Sequence, residues 1–267
     1  MAFLIRMGGW RIAEISDLLA IARRAAERAG RRLLTADDEG YRAHVTDRDH
    51  PREVKAHADI ELEKAILADL TPTGIPILSE ESGCSGLENS DQLRFIVDPL
   101  DGTFNYIHNL GPWAVSIALW EGAKPIFGVV YSAEDDEMYW GGPGLGAFRG
   151  ENPIAVSSVS DRSLASICTG LPARADLGDP TFRDRFWKAA VGFSKTRMLG
   201  SAAMSLVRVA SGAADAYCED GIMIWDVAAG LAIVMGAGGA QTWTPVAADH
   251  SVDVFASNGH LTHPAES

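Results

Sequence analysis

The chain has 267 residues, 47% of them hydrophobic, enough for one large domain or two coupled ones around a real core. A formal charge of −13 excludes a general nucleic-acid-binding face, so a protein of this composition that handles phosphate has to supply positive charge locally, as bound divalent cations would. No apolar run reaches the length of a membrane span, Met1 to Trp10 is too short for a signal peptide, with Met7 as an alternative start, and the scattered Cys84, Cys168 and Cys218 suggest free thiols in a reducing cytoplasm.

From Arg11 to Leu34, the residues Ile12, Ile15, Leu18, Leu19, Ala22, Ala26, Leu33 and Leu34 recur at helical spacing, with arginines opposite. The pattern predicts a long amphipathic helix with a solvated basic face. Thr35 to Pro51 is polar and lacks any apolar period, which reads as a mobile, functional loop. His44, His50 and His57 come closest to a histidine cluster, but their loop context favours solvated side chains over a metal site. Ala58 to Leu70 resumes a helix with Ile60, Leu62, Ile66, Leu67 and Leu70 inward and Asp59 in its first turn, the ordinary place for an acid. Ile75 to Leu78 is a short strand that runs into Ser79-Glu80-Glu81-Ser82.

Phe95-Ile96-Val97 is a second strand that ends in acids, within Asp98-Pro99-Leu100-Asp101-Gly102-Thr103. Pro99 forces a turn that can aim Asp98 and Asp101 at one point, where they repel unless a cation lies between them. Hard oxygen ligands suit magnesium, with manganese as a substitute. Gly102 permits a close backbone approach, and Thr103 can open a helix whose amides face an anion, so metal and phosphate are read together. The same residue types also make a plain Asx turn, and the stretch alone does not decide between the two.

Trp113 to Trp120, Pro125 to Tyr131 and Glu137 to Tyr139 read as consecutive strands, and the glycine-rich Gly141 to Gly150 as hairpin turns rather than a phosphate loop. Ile154 to Ser158 reads as a further strand, and Ser163 to Thr169 opens a second α/β half. Phe182 to Ala190 is helical. Arg197 to Leu199 is a strand leading into Gly200-Ser201-Ala202-Ala203, with a helix from there to Ala210. Gly200 and Ser201 thus lie at a helix amino end, where anions or hydroxyls are met. Ala214 to Glu219 is a strand carrying an acid, and Ile224-Trp225-Asp226 starts an apolar helix through Met235 in which Asp226 is either a simple N-cap or a third acid delivered at an element end. Gln241 to Ser257 supplies one or two closing strands, and His260 to Ser267 a frayed tail.

Ser79-Glu80-Glu81-Ser82, Asp98 to Thr103, and Trp225-Asp226-Val227-Ala228-Ala229-Gly230 with Gly238-Gly239, in this order, resemble the three motifs of the inositol monophosphatase family. The resemblance covers nearly the whole chain. It implies an α/β fold, a layered α/β/α/β/α sandwich of the sugar-phosphatase type, with an N-terminal α+β half over 1–155 and a C-terminal α/β half over 156–267. It further implies a homodimer and a magnesium-dependent, lithium-sensitive phosphomonoesterase. Carried over residue by residue, Glu80, Asp98 and the Leu100 carbonyl hold one metal ion, while Asp98, Asp101 and Asp226 hold a second. Glu80 is also available to a weaker third ion and joins Thr103 and Asp59 as the catalytic group. Thr103, oriented by Asp59, positions or deprotonates the attacking water, and the Gly102 and Thr103 amides hold phosphate. Gly200, Ser201, Ala202, Glu219, Asp101 and Asp226 face the substrate. The chain departs from the family pattern at Ser79, where glycine is common, at Asp220, an extra acid beside Glu219 that would repel a second phosphate, and at Glu53 and Ala56, in the usual Asp and Thr places.

The expected substrate is inositol monophosphate or a similar polyol or sugar phosphate. The alternatives within the fold are fructose-1,6-bisphosphate and 3'-phosphoadenosine-5'-phosphate, and the seventeen residues between Glu80 and Asp98 count against the nucleotide. A regulatory or binding protein on this scaffold is the alternative of another class. Retention of Glu80, Asp98, Asp101 and Asp226 speaks against it.

Overall fold

The structure, a computed structural model, describes residues 6–7, 10–35, 44–46, 54–86 and 91–264. Six α-helices lie among the described residues: α1 (Ile12–Thr35), α2 (His57–Leu70), α3 (Thr103–His108), α4 (Pro180–Val191), α5 (Ala202–Ala210) and α6 (Ile224–Gly236). Residues 77–153 form an eight-stranded sheet in the spatial order Asn152–Pro153, Gly146–Arg149, Glu137–Gly142, Lys124–Ser132, Ala114–Glu121, Leu93–Asp101, Ile77–Ser79, Gly83–Ser85. A second sheet runs Lys195–Arg197, Ser166–Thr169, Ala216–Met223, Ser251–Ser257, Ala240–Trp243.

The side-chain period of two sorts these strands into layers. In the first sheet Phe95, Val97, Val115, Ile117, Phe127 and Val129 join a core with α1 and α2, whereas Ile96, Ala118, Trp120 and Val130 face α5 and α6. In the second sheet Cys168 and Tyr217 face those same helices, whereas Ile167, Ala216 and Cys218 pack with Ala189 of α4. The result is a five-layer α/β/α/β/α sandwich. Both faces of the central strands are covered, which is why they read as unbroken apolar runs. Helix α6 lies between two sheets and is accordingly apolar on nearly every side. Its approach to the first sheet is close: a Cβ on Gly128 would lie 2.0 Å from the Ala229 carbonyl oxygen.

On α1, Ile15, Leu18, Leu19, Ala22, Ala26 and Leu33 are buried, while Leu34, expected inward, is exposed, as is Ile60 of α2. The basic face is not simply solvated, since Arg28 ties α1 to α2 through Asp69 at 2.6 Å and the Ala65 carbonyl at 2.8 Å. Most of the Thr35 to Pro51 stretch lies outside the described residues, but His44–Thr46 forms an antiparallel ribbon with Val54–Ala56. Glu53 is also outside them.

Three expectations are corrected. Ile154 to Ser158 is not a strand: the Ile154 amide bonds the Ala147 carbonyl and the Val156 amide the Ala237 carbonyl, so the segment crosses between layers without a strand partner. The strand expected at Arg197 to Leu199 lies earlier, at Lys195–Arg197, because Leu199 and Gly200 belong to the turn before α5. The end of the chain is not frayed through Pro264. Leu261 is buried, its carbonyl accepts from Ser257 Oγ at 2.9 Å, and the Arg162 guanidinium holds the carbonyls of Thr262 and His263.

Candidate active site

Each acid reaches the site by a local device. The Leu93–Asp101 strand pairs with Ala114–Glu121 up to Asp98 opposite Ser116, then slips so that Asp101 opposes Ala114. This irregularity, at Pro99, shifts the register between the two aspartates while both stay in the strand. Asp98 Oδ1 accepts from the Leu100 amide at 2.9 Å. Ile77–Ser79 runs parallel beside the same strand with Ser79 opposite Val97, so the next residue, Glu80, emerges next to Asp98, with its amide on the Val97 carbonyl at 3.1 Å. Asp226 comes from the first turn of α6. One oxygen each of Asp98, Asp101 and Asp226 lies within 4.8 Å of the other two.

Asp101 sits at the mouth of α5. Both of its oxygens are engaged there, by the Ser201 hydroxyl, the Ala203 amide at 2.9 Å and the Ala202 amide at 3.3 Å. Ser201 is the N-cap, as its position predicts, but the anion met by this helix is the protein's own carboxylate. Gly200 lines the cleft directly. Asn105 of α3 locks the arrangement by donating to the Pro112 and Leu199 carbonyls at 2.9 and 2.8 Å.

Thr103 opens α3 behind Gly102, whose φ of 89° is the left-handed conformation glycine supplies. Thr103 Oγ1 lies 3.0 Å from Asp59 Oδ1 and 2.9 Å from the Leu100 carbonyl oxygen, while Asp59 Oδ2 accepts from the Ala56 amide at 2.7 Å. Asp59 is therefore both the helix-end acid of α2 and the partner of Thr103.

Burial dominates the electrostatics. It raises Asp98, Asp226 and Glu80 well above the ordinary carboxylate range, with mutual repulsion adding to the rise. Burial also pushes Asp101 up to about 6 against the opposing bonds from α5, and Asp59 up to about 7. Crowded, buried carboxylates of this kind hold protons unless a cation replaces them, and hard oxygens at strand ends fit a divalent magnesium-like ion.

The four acids line a cleft of about 280 Å³ together with Leu100, Gly102, Thr103, Gly200 and Arg174. A neighbouring cavity of about 210 Å³ shares Asp101, Gly200 and Asp226 with it and adds Ser201, Ala202 and Glu219. Glu219 is buried, accepts from Tyr217 Oη at 2.9 Å, and is pushed up to about 7 by that burial. Asp220 turns away. It pairs with Arg185 at 2.9 Å in a small adjoining pocket that shares Thr169, Gly170 and Glu219 with that cavity, so its charge has a counter-ion there.

Several contributors were not evident from the sequence. Glu63, one turn after Asp59 on α2, accepts from the Ser79 hydroxyl and from the Ser82 amide and hydroxyl at 3.0 and 3.1 Å, fixing the turn that carries Glu80. The Asp59/Glu63 pair at i, i+4 on an otherwise apolar helix face is the signal that could have revealed it. Ser79 is thus accounted for: its hydroxyl has a buried partner. Gly170 leaves room for the Glu219 carboxylate, since a Cβ there would lie 2.5 Å from Oε2 and push it aside. Lys55, Tyr217 and Arg174 carry no sequence pattern that marks them.

A five-layer sandwich with buried carboxylates converging at strand ends beside a helix mouth defines an acid-centred sandwich protein suited to metal and phosphate. Residues 14–263 match the inositol monophosphatase family, and the chain belongs to that family. An inositol-1-monophosphatase of Mesorhizobium japonicum is 36% identical over 226 residues, 84% of each chain. A protein of Aquifex aeolicus named fructose-1,6-bisphosphatase/inositol-1-monophosphatase is 36% identical over 166 residues, 62% of each. The solved inositol monophosphatase of Anabaena (Nostoc) superposes with a TM-score of 0.78 at 34% identity, covering 92% of both chains.

Proposed function

We propose that the protein is a magnesium-dependent phosphomonoesterase acting on inositol monophosphate or a similar polyol or sugar phosphate. The observation that carries this reading is the convergence of Glu80, Asp98, Asp101 and Asp226 on one cleft that also holds Thr103. Glu80, Asp98 and the Leu100 carbonyl would hold one ion, and Asp98, Asp101 and Asp226 a second, with manganese as a substitute. Ions so held supply charge neutralisation for the phosphoryl group and a more acidic water.

The protein's own part is positioning and proton transfer. A threonine hydroxyl has one hydrogen, yet Thr103 Oγ1 faces two acceptors, Asp59 Oδ1 and the Leu100 oxygen. Asp59, raised by burial when no ion is bound, can carry the shared proton in its neutral form and accept one from Thr103 when ionised. The ionised pair can thus take a proton from an attacking water. The Gly102 and Thr103 amides at the start of α3 face the phosphoryl oxygens. Glu219 and its Tyr217 partner, with Gly200, Ser201, Ala202 and Asp101, form the wall for the leaving alcohol. The cleft draws Glu80, Asp98, Asp101 and Thr103 from the expected 1–155 half and Gly200 and Asp226 from the expected 156–267 half.

A second reading, fructose-1,6-bisphosphate as substrate, is favoured by one observation: Arg185 neutralises Asp220, which removes the expected repulsion of a second phosphate. The Aquifex relative carries both activities in its name. We assign the protein to a reducing cytoplasm, supported by its free cysteines, and to a homodimer, supported by the exposed Trp187 and Val191 of α4. Inhibition by lithium is part of the same reading. Phosphate release from a panel of polyol, sugar and nucleotide phosphates, with magnesium and with EDTA, tests the activity. No release from any ester in magnesium would refute it.

A further inference from the structure

Beside the Asp98, Asp101 and Asp226 group, a second set of carboxylates, Asp59, Glu80 and Glu81, brings one oxygen each within 4.8 Å of the others. One member of this set, Glu81, already has a cationic partner. Lys55 Nζ reaches both oxygens of Glu81, at 3.1 and 3.0 Å, and the two side chains are only 23% and 12% exposed. The ammonium is tethered from a fixed place: Lys55 lies in the short Val54–Ala56 strand, opposite Val45 and directly before α2. The same α2 carries Asp59, whose two oxygens serve the Ala56 amide and Thr103.

We propose that Lys55 is a positioning residue: its ammonium, paired with Glu81, keeps a divalent ion out of the Asp59, Glu80 and Glu81 cluster and so preserves Asp59 as the partner of Thr103. Magnesium and manganese require several oxygens in a near-octahedral shell. An ion in this cluster would have to displace Nζ from Glu81 and then sit against a like charge on a short tether. It would also draw on the Asp59 lone pairs that Thr103 uses. A compact ammonium on a flexible stem pairs with Glu81 without demanding a shell. The proposal rests on the Asp98-centred reading of the active site and restricts divalent ions to that centre.

Manganese titrations of the full-length chain, with free ion followed by electron paramagnetic resonance, test it. Lys55→Met is expected to bind one more ion per chain than the wild type, with affinity roughly tenfold or more above any such binding in the wild type, as expected when a neighbouring like charge is removed. Lys55→Arg should keep the wild-type count. Lys55→Met combined with Glu81→Gln should lose the extra ion. Inhibition of phosphate release by excess manganese should set in at lower concentration in Lys55→Met. Lys55→Gln, closer in polarity, provides the same comparison should Lys55→Met fail to fold. Equal, non-zero counts in the wild type and in the folded Lys55 variants overturn the proposal, as does an extra ion that survives Glu81→Gln. A wild type that binds no manganese overturns the metal reading itself, a result distinct from either.

Discussion

Stripping divalent ions from the protein and then raising the pH should destabilise it. Asp98, Asp101 and Asp226 have oxygens within 4.8 Å of one another. At an effective dielectric of about 20, two unit charges at that separation repel by about 3.5 kcal/mol, so three ionised pairs cost on the order of 10 kcal/mol, comparable to the whole stability of a domain. Without a cation the folded protein therefore keeps protons on the cluster, consistent with Asp98 and Asp226 well above their ordinary range and Asp101 at about 6, all chiefly through burial. A folded pKa above the unfolded one means the native state binds the proton more tightly. The resulting stability is full below the unfolded pKa and is lost as pH rises through the folded one. For Asp101 that window runs from 3.8 to about 6. At about 1.4 kcal/mol per unit its loss is about 3 kcal/mol. Asp59 and Glu219, both at about 7, extend the decline toward neutrality. In a chain of this size about 3 kcal/mol corresponds to roughly 5–10 °C in Tm. Thermal unfolding of EDTA-treated protein between pH 5 and 8 should show Tm falling by at least that amount, while a magnesium-saturated sample holds level or rises. An EDTA-treated protein that is as stable at pH 8 as at pH 5, or a Tm unmoved by magnesium, would refute the reasoning.

Thr103→Val should lower kcat by about 10²- to 10⁴-fold with little change in Tm, because it removes only the hydroxyl that Asp59 orients. A kcat within tenfold of wild type would show the pair to be structural. Gly170→Ala places a Cβ 2.5 Å from a Glu219 oxygen, so it should raise KM for polyol phosphates more than it lowers kcat. Unchanged KM across the panel would remove Glu219 from the alcohol wall. Gly128→Ala puts a Cβ 2.0 Å from the Ala229 carbonyl oxygen in a strand-on-helix contact that cannot yield cheaply. It should cost about 1–3 kcal/mol or more in urea unfolding, and a neutral effect would contradict the packing of α6 on the first sheet.

The layering came from the family resemblance, and single elements were legible where burial forces the residue pattern: α1 by its stripe from Ile15 to Leu33, and the central strands by apolar runs between turns. Ile154 to Ser158 misled because alternation alone carries no information about whether a strand lies alongside. Leu261, a single apolar residue in a polar tail, gave no sign that it was buried. In the site, the acids and Thr103 were legible through three ordered motifs, since strand ends and helix starts deliver side chains at fixed points. Their supports were not. Glu63, Lys55, Tyr217 and Gly170 act on partners brought near by the fold, and Asp220 misled because nothing local announced Arg185 as its counter-ion. The engagement of Asp101 by α5 is of the same kind: each residue was placed at an element end, but the meeting of the two ends is a tertiary fact.

Asp98 belongs to both proposed ion positions, so its neutral isostere gives the most direct measurement. Calorimetric titration of magnesium into EDTA-treated wild type should show saturable binding, and Asp98→Asn, still folded, should show none, with phosphate release from inositol monophosphate abolished in parallel. Wild-type magnesium binding that persists undiminished in Asp98→Asn would contradict the claim that these carboxylates form the metal centre.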